Sequence, residues 1–183
     1  MNVPIDISNT VIHTNRLTLR PWKHSDLDDF FEYASVPGVG EAAGWMHHKT
    51  KDESEMILDM FIRDKRTFAI ELEGKVIGSL GIELYNEDQM PELADKAGRE
   101  IGFVLSKDYW GKGLMPEAVA GVVAWLMNEI RLDFIVCVHS PDNTRSKRVQ
   151  EKCGFKPYKT REFKTTWGEI RESGIEILFR EDQ

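Results

Sequence analysis

Two blocks of this sequence carry residue types and spacings that could bind a ligand, and the first of them is suited to a phosphate. The first block, Ile101–Ala118, places an apolar, strand-like run directly before Gly111 and Gly113. A helix is predicted to begin at once after the glycines, and the unpaired N–H groups at a helix N-terminus can hold a phosphate. Glycine lets a ligand approach the backbone closely, and Lys112 adds a positive charge. This block therefore predicts a phosphate-binding turn.

The second block follows about thirty residues later and begins at Asn143 and Ser146. It comes directly after the apolar, β-branched run Phe134–Val138, which predicts a buried strand. A short helix is then predicted over Thr144–Lys152, stopped by Gly154. The polar side chains at its start could cap the helix or could contact a ligand, and the sequence leaves both readings open.

Together, in this order and spacing, the two blocks resemble the GNAT superfamily of acetyl-CoA-dependent N-acetyltransferases. Within it they look most like the ribosomal-protein-alanine branch, RimJ and RimL. The family's turn motif is Gln/Arg-x-x-Gly-x-Gly/Ala, and Gly113 matches its fourth position. Trp110 departs at the first position and Met115 at the last. The resemblance implies that acetyl-CoA, as a co-substrate, is held by Trp110, Gly111, Lys112, Gly113, Leu114 and Met115.

The resemblance also implies roles beyond the turn. The pantetheine arm would lie like an extra strand along the main chain of Phe103, Val104 and Leu105, where a backbone N–H could face the thioester oxygen. Asn143 would contact the coenzyme. Ser146 would lie near the sulfur and would hydrogen-bond the leaving thiolate or relay a proton to it.

The sequence lacks the family's usual general acid but offers candidates for the general base. Many GNAT enzymes carry a tyrosine acid seven residues after this asparagine, but here that position is Gln150. An amine acceptor is mostly protonated at neutral pH, so a base or an ordered water must remove a proton. Glu100, which heads the cofactor strand, is the first candidate for the base. Glu83 is the second candidate and His139 the third.

The composition limits the class of protein. The chain has 183 residues and a net charge of −7, which predicts a single domain over residues 1–183 and argues against nucleic-acid or anionic-membrane binding. No signal peptide is recognised, and the longest apolar run is too short to span a bilayer. Cys137 and Cys153 lack metal-type spacing, so we expect reduced thiols, no metal and a cytoplasmic protein. A monomer or homodimer is expected.

Periodicity along the chain predicts the order β α α β β β α β α β β. The expected fold is α/β (α+β), a GNAT-like mixed, mostly antiparallel central sheet with helices on both faces, and the resemblance covers about 16–180. A helix capped by Ser25 is predicted to run to Ala34, and residues 86–98 are predicted to form a mobile loop.

The function that these features predict is direct acetyl transfer from acetyl-CoA to a primary amine, possibly a protein N-terminal α-amine. One alternative is a small-molecule acetyltransferase acting on an amino acid, a polyamine or a drug amine. A second is a coenzyme A-binding module without turnover. The loops 45–48 and 86–98 are expected to flank a peptide acceptor.

Overall fold

The computed structural model describes residues 1–182, in which strands and helices follow the predicted order with one additional two-residue strand at the start. The strands are β1 (Ile12–His13), β2 (Thr18–Pro21), β3 (Thr67–Leu72), β4 (Lys75–Glu83), β5 (Gly98–Leu105), β6 (Phe134–His139), β7 (Lys156–Lys164) and β8 (Ile170–Phe179). The helices are α1 (Leu27–Ala34), α2 (Lys51–Asp64), α3 (Leu114–Asn128) and α4 (Thr144–Lys152).

The strands form a single sheet in the order β1-β2-β3-β4-β5-β6-β8-β7. Among the strands described, β5 and β6 are the parallel pair and all other neighbours are antiparallel. Parallel neighbours need a long crossover, and α3 provides it here. The predicted mixed, mostly antiparallel sheet is therefore confirmed.

Different layers cover the two faces of the sheet. On one face α3 and α4 pack in a core with Ala118, Val122 and Ile101, all at most 1% exposed. On the other face α1 and α2 pack around Phe30, and Val104 of β5 lies against this second cluster. Since side chains alternate along a strand, Ile101 and Val104 point to opposite faces, as the predicted two-sided architecture requires.

The start of α1 differs from the prediction. Residues 24–26 form a 3₁₀ turn, and Asp26 rather than Ser25 directly precedes the α-helix. The Asp26 carboxylate is buried and accepts hydrogen bonds of 2.8 and 2.9 Å from Arg20. The same carboxylate accepts a 2.8 Å hydrogen bond from Lys23 N, so Asp26 both caps the 3₁₀ turn and pairs with Arg20 of β2.

The segment 86–97, which was predicted to be a mobile loop, has local structure and buried side chains that its polarity did not predict. It contains two 3₁₀ turns and buries Met90 and Leu93 in a cluster with Phe134 of β6. This segment covers the part of the second face that α1 and α2 leave open. Residues 1–182 contain no helix with both the length and the apolar character of a membrane span.

Two glycines on β5 should respond differently to an added methyl group. A Cβ at Gly98 would lie 2.1 Å from the Phe134 ring, whereas one at Gly102 would have no described atom within 4 Å. We expect Gly98→Ala to lower the free energy of unfolding by about 1–3 kcal/mol, as overpacking does. Gly102→Ala, the matched control, should change it by less than about 0.5 kcal/mol. Urea unfolding measures both, and equal losses would contradict this account of the fold.

Candidate active site

The connection between β5 and α3 is a tight turn that requires glycine. Gly111 and Gly113 have φ angles of 75° and 74°, in the left-handed region where a Cβ is disfavoured. Gly113 is the N-cap of the 15-residue α3 and has no side-chain cap within the described chain. The first N–H groups of a long helix are therefore available to an anion at this turn.

Arg16, which was not predicted to be part of the site, holds this turn in place. Arg16 Nη1 donates to the Lys112 carbonyl at 3.0 Å, and Arg16 Nε donates to Glu117 Oε2 at 2.8 Å. Thr14 Oγ1 donates to the other oxygen of Glu117 at 2.6 Å. The residues before β2 thus fix the first turn of α3, through partners about a hundred positions away in the chain.

A cavity opens where β5 and β6 separate. Their pairing ends at Ile101 opposite Cys137, yet β5 continues to Leu105 and β6 continues to His139. Beyond that pair the strands diverge, and a cavity of about 530 Å³ extends from the glycine turn to Glu100. We call this space the first cavity.

The first cavity brings the predicted coenzyme residues together. It is lined by Phe103, Val104, Leu105, Trp110, Gly111, Gly113, Leu114, Met115, Asn143 and Ser146. Lys112 is the exception, because its Nζ lies 5.0 Å above the Tyr109 ring and its side chain is exposed. Arg145, whose guanidinium lies 4.1 Å from the Trp110 ring centre, contributes a positive charge at the cavity.

The start of α4 is capped by Asn143 and borders the first cavity. Asn143 Oδ1 caps the helix by accepting from Ser146 N at 3.1 Å, and its Nδ2 donates to the Ala42 carbonyl at 3.0 Å. Ser146 Oγ accepts a 3.0 Å hydrogen bond from Nε2 of the fully buried Gln150. Gln150 therefore donates to this hydroxyl, and Ser146 itself lines the first cavity.

A second cavity lies on the face that carries α1 and α2. It measures about 660 Å³ and is bordered by the segment 43–49, by α2 and by the middle of β4. The two cavities share Ala43, Gly102, Phe103 and Val104. They therefore meet over the centre of β5.

Two carboxylates lie where the cavities meet. Glu83 and Glu100 are directly opposite in the β4–β5 pair, so their side chains share a face. Arg161 Nη2, from β7, lies 2.8 Å from Glu100 Oε1, and both side chains are largely buried. Burial raises the pKa of Glu100 above its ordinary value, Arg161 opposes this rise, and the neighbouring charge of Glu83 adds to it. Arg161 was not predicted, because strand β7 alone does not show what it faces.

Comparison with known proteins decides the family. A family model described as "Acetyltransferase (GNAT) domain" matches residues 16–156. The chain belongs to the GNAT family of acetyltransferases. The resemblance found in the sequence is thereby confirmed, and the protein is an acyltransferase.

Individual relatives agree with this assignment. The chain is 26% identical over 155 residues to the uncharacterised N-acetyltransferase p20 of Bacillus licheniformis, covering 79% of this chain and 81% of that protein. The GNAT-family acetyltransferase from Bacillus anthracis superposes with a TM-score of 0.81 at 22% identity, over 94% of this chain and 99% of that one. RimJ of Mycobacterium smegmatis, in complex with CoA-disulfide, gives a TM-score of 0.74 at 18% identity, over 94% and 88%. At these identities, the likeness to the solved structures shows the fold.

The histidines that line the two cavities each contact a neighbouring polar group. His139, the third candidate for the base, lines the first cavity, and its Nε2 lies 3.3 Å from the buried carboxylate of Glu176. His47 Nδ1 lies 2.7 Å from Glu41, and His48 Nδ1 lies 2.7 Å from the Ser54 hydroxyl. Burial lowers the pKa of His48.

Both cysteines of the acetyltransferase are free thiols in the described chain. Burial raises the pKa of Cys137 well above its ordinary value and that of Cys153 to about 11. The thiolate is the nucleophilic form of cysteine, so neither side chain is activated for attack at neutral pH.

Proposed function

We propose that this GNAT protein transfers an acetyl group from acetyl-CoA directly to a primary amine. The observation that carries the proposal is the meeting of two cavities over β5. One begins at a glycine turn suited to phosphate, and the other ends at a carboxylate suited to an ammonium group. A protein N-terminal α-amine is our first candidate for the acceptor, and the ribosomal-protein branch of the family supports it.

The first cavity fits the parts of coenzyme A. The left-handed glycines and the N-terminus of α3 suit its pyrophosphate, with Arg145 close by. The edge of β5 beyond Ile101, which no longer pairs with β6, suits the amides of its pantetheine arm. Acetyl-CoA, when bound, supplies the acetyl group as an activated thioester.

Glu100 is proposed to receive the proton of the ammonium group. Its raised pKa makes it a stronger base than an ordinary exposed carboxylate, and Arg161 holds its orientation. The amine nitrogen then forms the new C–N bond as the C–S bond breaks. The second proton of the nitrogen passes to the departing sulfur, with the Ser146 hydroxyl as its hydrogen-bond donor or as a relay that gains one proton as it gives one up, and Gln150 positions this hydroxyl. The cysteine pKa values support direct transfer without an acyl-enzyme.

The glycine turn can be tested with matched glycine variants. Gly113→Asp places a carboxylate beside the proposed phosphate site, and we expect it to weaken coenzyme A binding by about 10-fold or more. Gly74→Asp is the control, because Gly74 has a similar φ of 84° in the β3–β4 turn and a Cβ there would meet none of the described atoms within 4 Å. Calorimetry measures both affinities. Unchanged coenzyme A affinity in a folded Gly113→Asp protein would contradict the assignment of this turn as the phosphate site.

The base can be tested through the pH profile. Below its pKa Glu100 is protonated and cannot accept the ammonium proton, so kcat/KM should rise as pH rises through that raised value. Glu100→Gln should remove this limb and lower kcat by about 10²-fold or more. Glu172→Gln, an exposed β8 position, should leave the profile unchanged. A loss of only about two- to three-fold, well short of a general-base effect, would move the role to Glu83, His139 or water.

The Ser146–Gln150 pair can be tested by a double-mutant cycle. Ser146→Ala should lower kcat by about 10-fold, the equivalent of one hydrogen bond. Gln150→Leu should lower kcat in wild-type protein but should add nothing to Ser146→Ala, since Gln150 acts through that hydroxyl. Additive effects, or a change in coenzyme affinity alone, would show that Gln150 only supports the fold of α4.

A further inference from the structure

The floor of the second cavity is main chain rather than side chain. Gly81 and Gly102 face each other across the β4–β5 pair. A Cβ at residue 102 would point into space that holds no described atom within 4 Å, whereas one at residue 81 would lie 2.8 Å from Glu83 Oε1. The Glu83 carboxylate therefore lies across the glycine floor.

Arg66 anchors this carboxylate through its other oxygen. Arg66 Nη1 lies 3.0 Å from Glu83 Oε2, so Oε1 is the oxygen that lies over the floor. The Glu83 side chain is 44% exposed and lines the second cavity. A carboxylate with one oxygen anchored and the other beside open space is suited to accept a charged N–H donor.

The walls above this floor are apolar. They are formed by Trp45, Met46, Ile57, Met60, Phe61 and Val104. Phe61 is held in place by the rings of Trp22 and Phe30, each with its centroid 5.6 Å away. Such walls favour an apolar group, because burying it removes apolar surface from water.

The other ionisable groups at this cavity are engaged or exposed. Glu53 accepts a 2.6 Å hydrogen bond from the backbone of Lys49, and Lys49 itself is exposed. His47 and His48 are bound to Glu41 and Ser54, as described above. A carboxylate on the acceptor would therefore be repelled by Glu83, and a second cationic group packed against the apolar walls would lose its hydration there.

From these observations we propose that the acceptor is a primary amine carried by an apolar or aromatic group. Its ammonium lies on Glu83 above Gly81 and Gly102, and its apolar group packs against Trp45 and Phe61. This inference rests on the proposed function, since it names the substrate class of the same site. A volume of about 660 Å³ admits an arylalkylamine or the first residues of a peptide with a large apolar side chain at its N-terminus.

Substrate preference gives the first arm of the test. With acetyl-CoA fixed, thiol release is measured for 2-phenylethylamine, 1,4-diaminobutane, free leucine, and tetrapeptides that differ only in beginning with Leu or Asp. We expect kcat/KM for phenylethylamine or the Leu peptide to exceed that for the diamine, free leucine and the Asp peptide by about 10²-fold. Which of the two preferred substrates is faster distinguishes a small-molecule source from a peptide source.

Variants of the floor and wall give the second arm. Glu83→Gln should raise KM for the preferred amine by about 10-fold or more while coenzyme affinity stays unchanged, and Glu172→Gln is the matched control. Gly102→Val fills the floor and should also raise this KM, with an unchanged Tm as evidence that it folds. Trp45→Ala should lower the ratio of kcat/KM for the apolar amine to kcat/KM for the diamine.

Failure of this inference and failure of the proposed function give different results. Efficient turnover of the diamine or free leucine, or a Glu83→Gln variant with normal KM, overturns the apolar-amine site and leaves acetyl transfer standing. The opposite case is an amine site without acetyl transfer, and it is tested by calorimetry of phenylethylamine binding to the protein in the presence of coenzyme A. If no amine is acetylated but phenylethylamine binds and loses affinity in Glu83→Gln, the site stands and the transfer function fails. Absence of such binding together with absence of turnover overturns both.

Discussion

The separation of β5 from β6 is the constraint on which the rest of the site depends. The two strands pair as far as Ile101 and Cys137, and each then keeps only its antiparallel neighbour, β4 for β5 and β8 for β6. Because these outer pairs continue, the sheet stays intact while a gap opens within it. The first cavity, the freed edge of β5 and the position of Glu100 all follow from that gap.

Contacts from distant parts of the chain fix the borders of the gap. The Trp110 indole donates to the Leu105 carbonyl at 2.8 Å and so satisfies an acceptor at the end of β5. Asn143 binds the Ala42 carbonyl, and Thr166 N donates to the Gly44 carbonyl at 2.9 Å. The segment between α1 and α2 is thereby tied to both α4 and the β7–β8 hairpin, and its Ala43 lines both cavities.

The features that depend on local sequence patterns, such as the strands and the glycine turn, were predictable from the sequence. The alternation of apolar and polar residues predicted the strands, and most of the residues predicted to bind the coenzyme line one cavity. Residues whose roles depend on distant partners were not predictable. Arg161 pairs with Glu100 across 61 positions, and Arg16 reaches Glu117 across 101. The burial of Met90 and Leu93 in the polar segment 86–97 was not predicted for the same reason, because their partners are distant in the chain.

The position of β8 in the sheet determines the order in which the strands can pair during synthesis. It follows β7 in the chain but lies between β6 and β7, so β6 keeps an open edge until the residues from 170 onward have been synthesised. Before that point the unpaired backbone N–H and C=O groups along the apolar run Phe134–Val138 can pair with another nascent chain. Arg161 lies on β7, which is held in the sheet through β8. The ionisable centre of the site is therefore among the last parts to form as the protein leaves the ribosome.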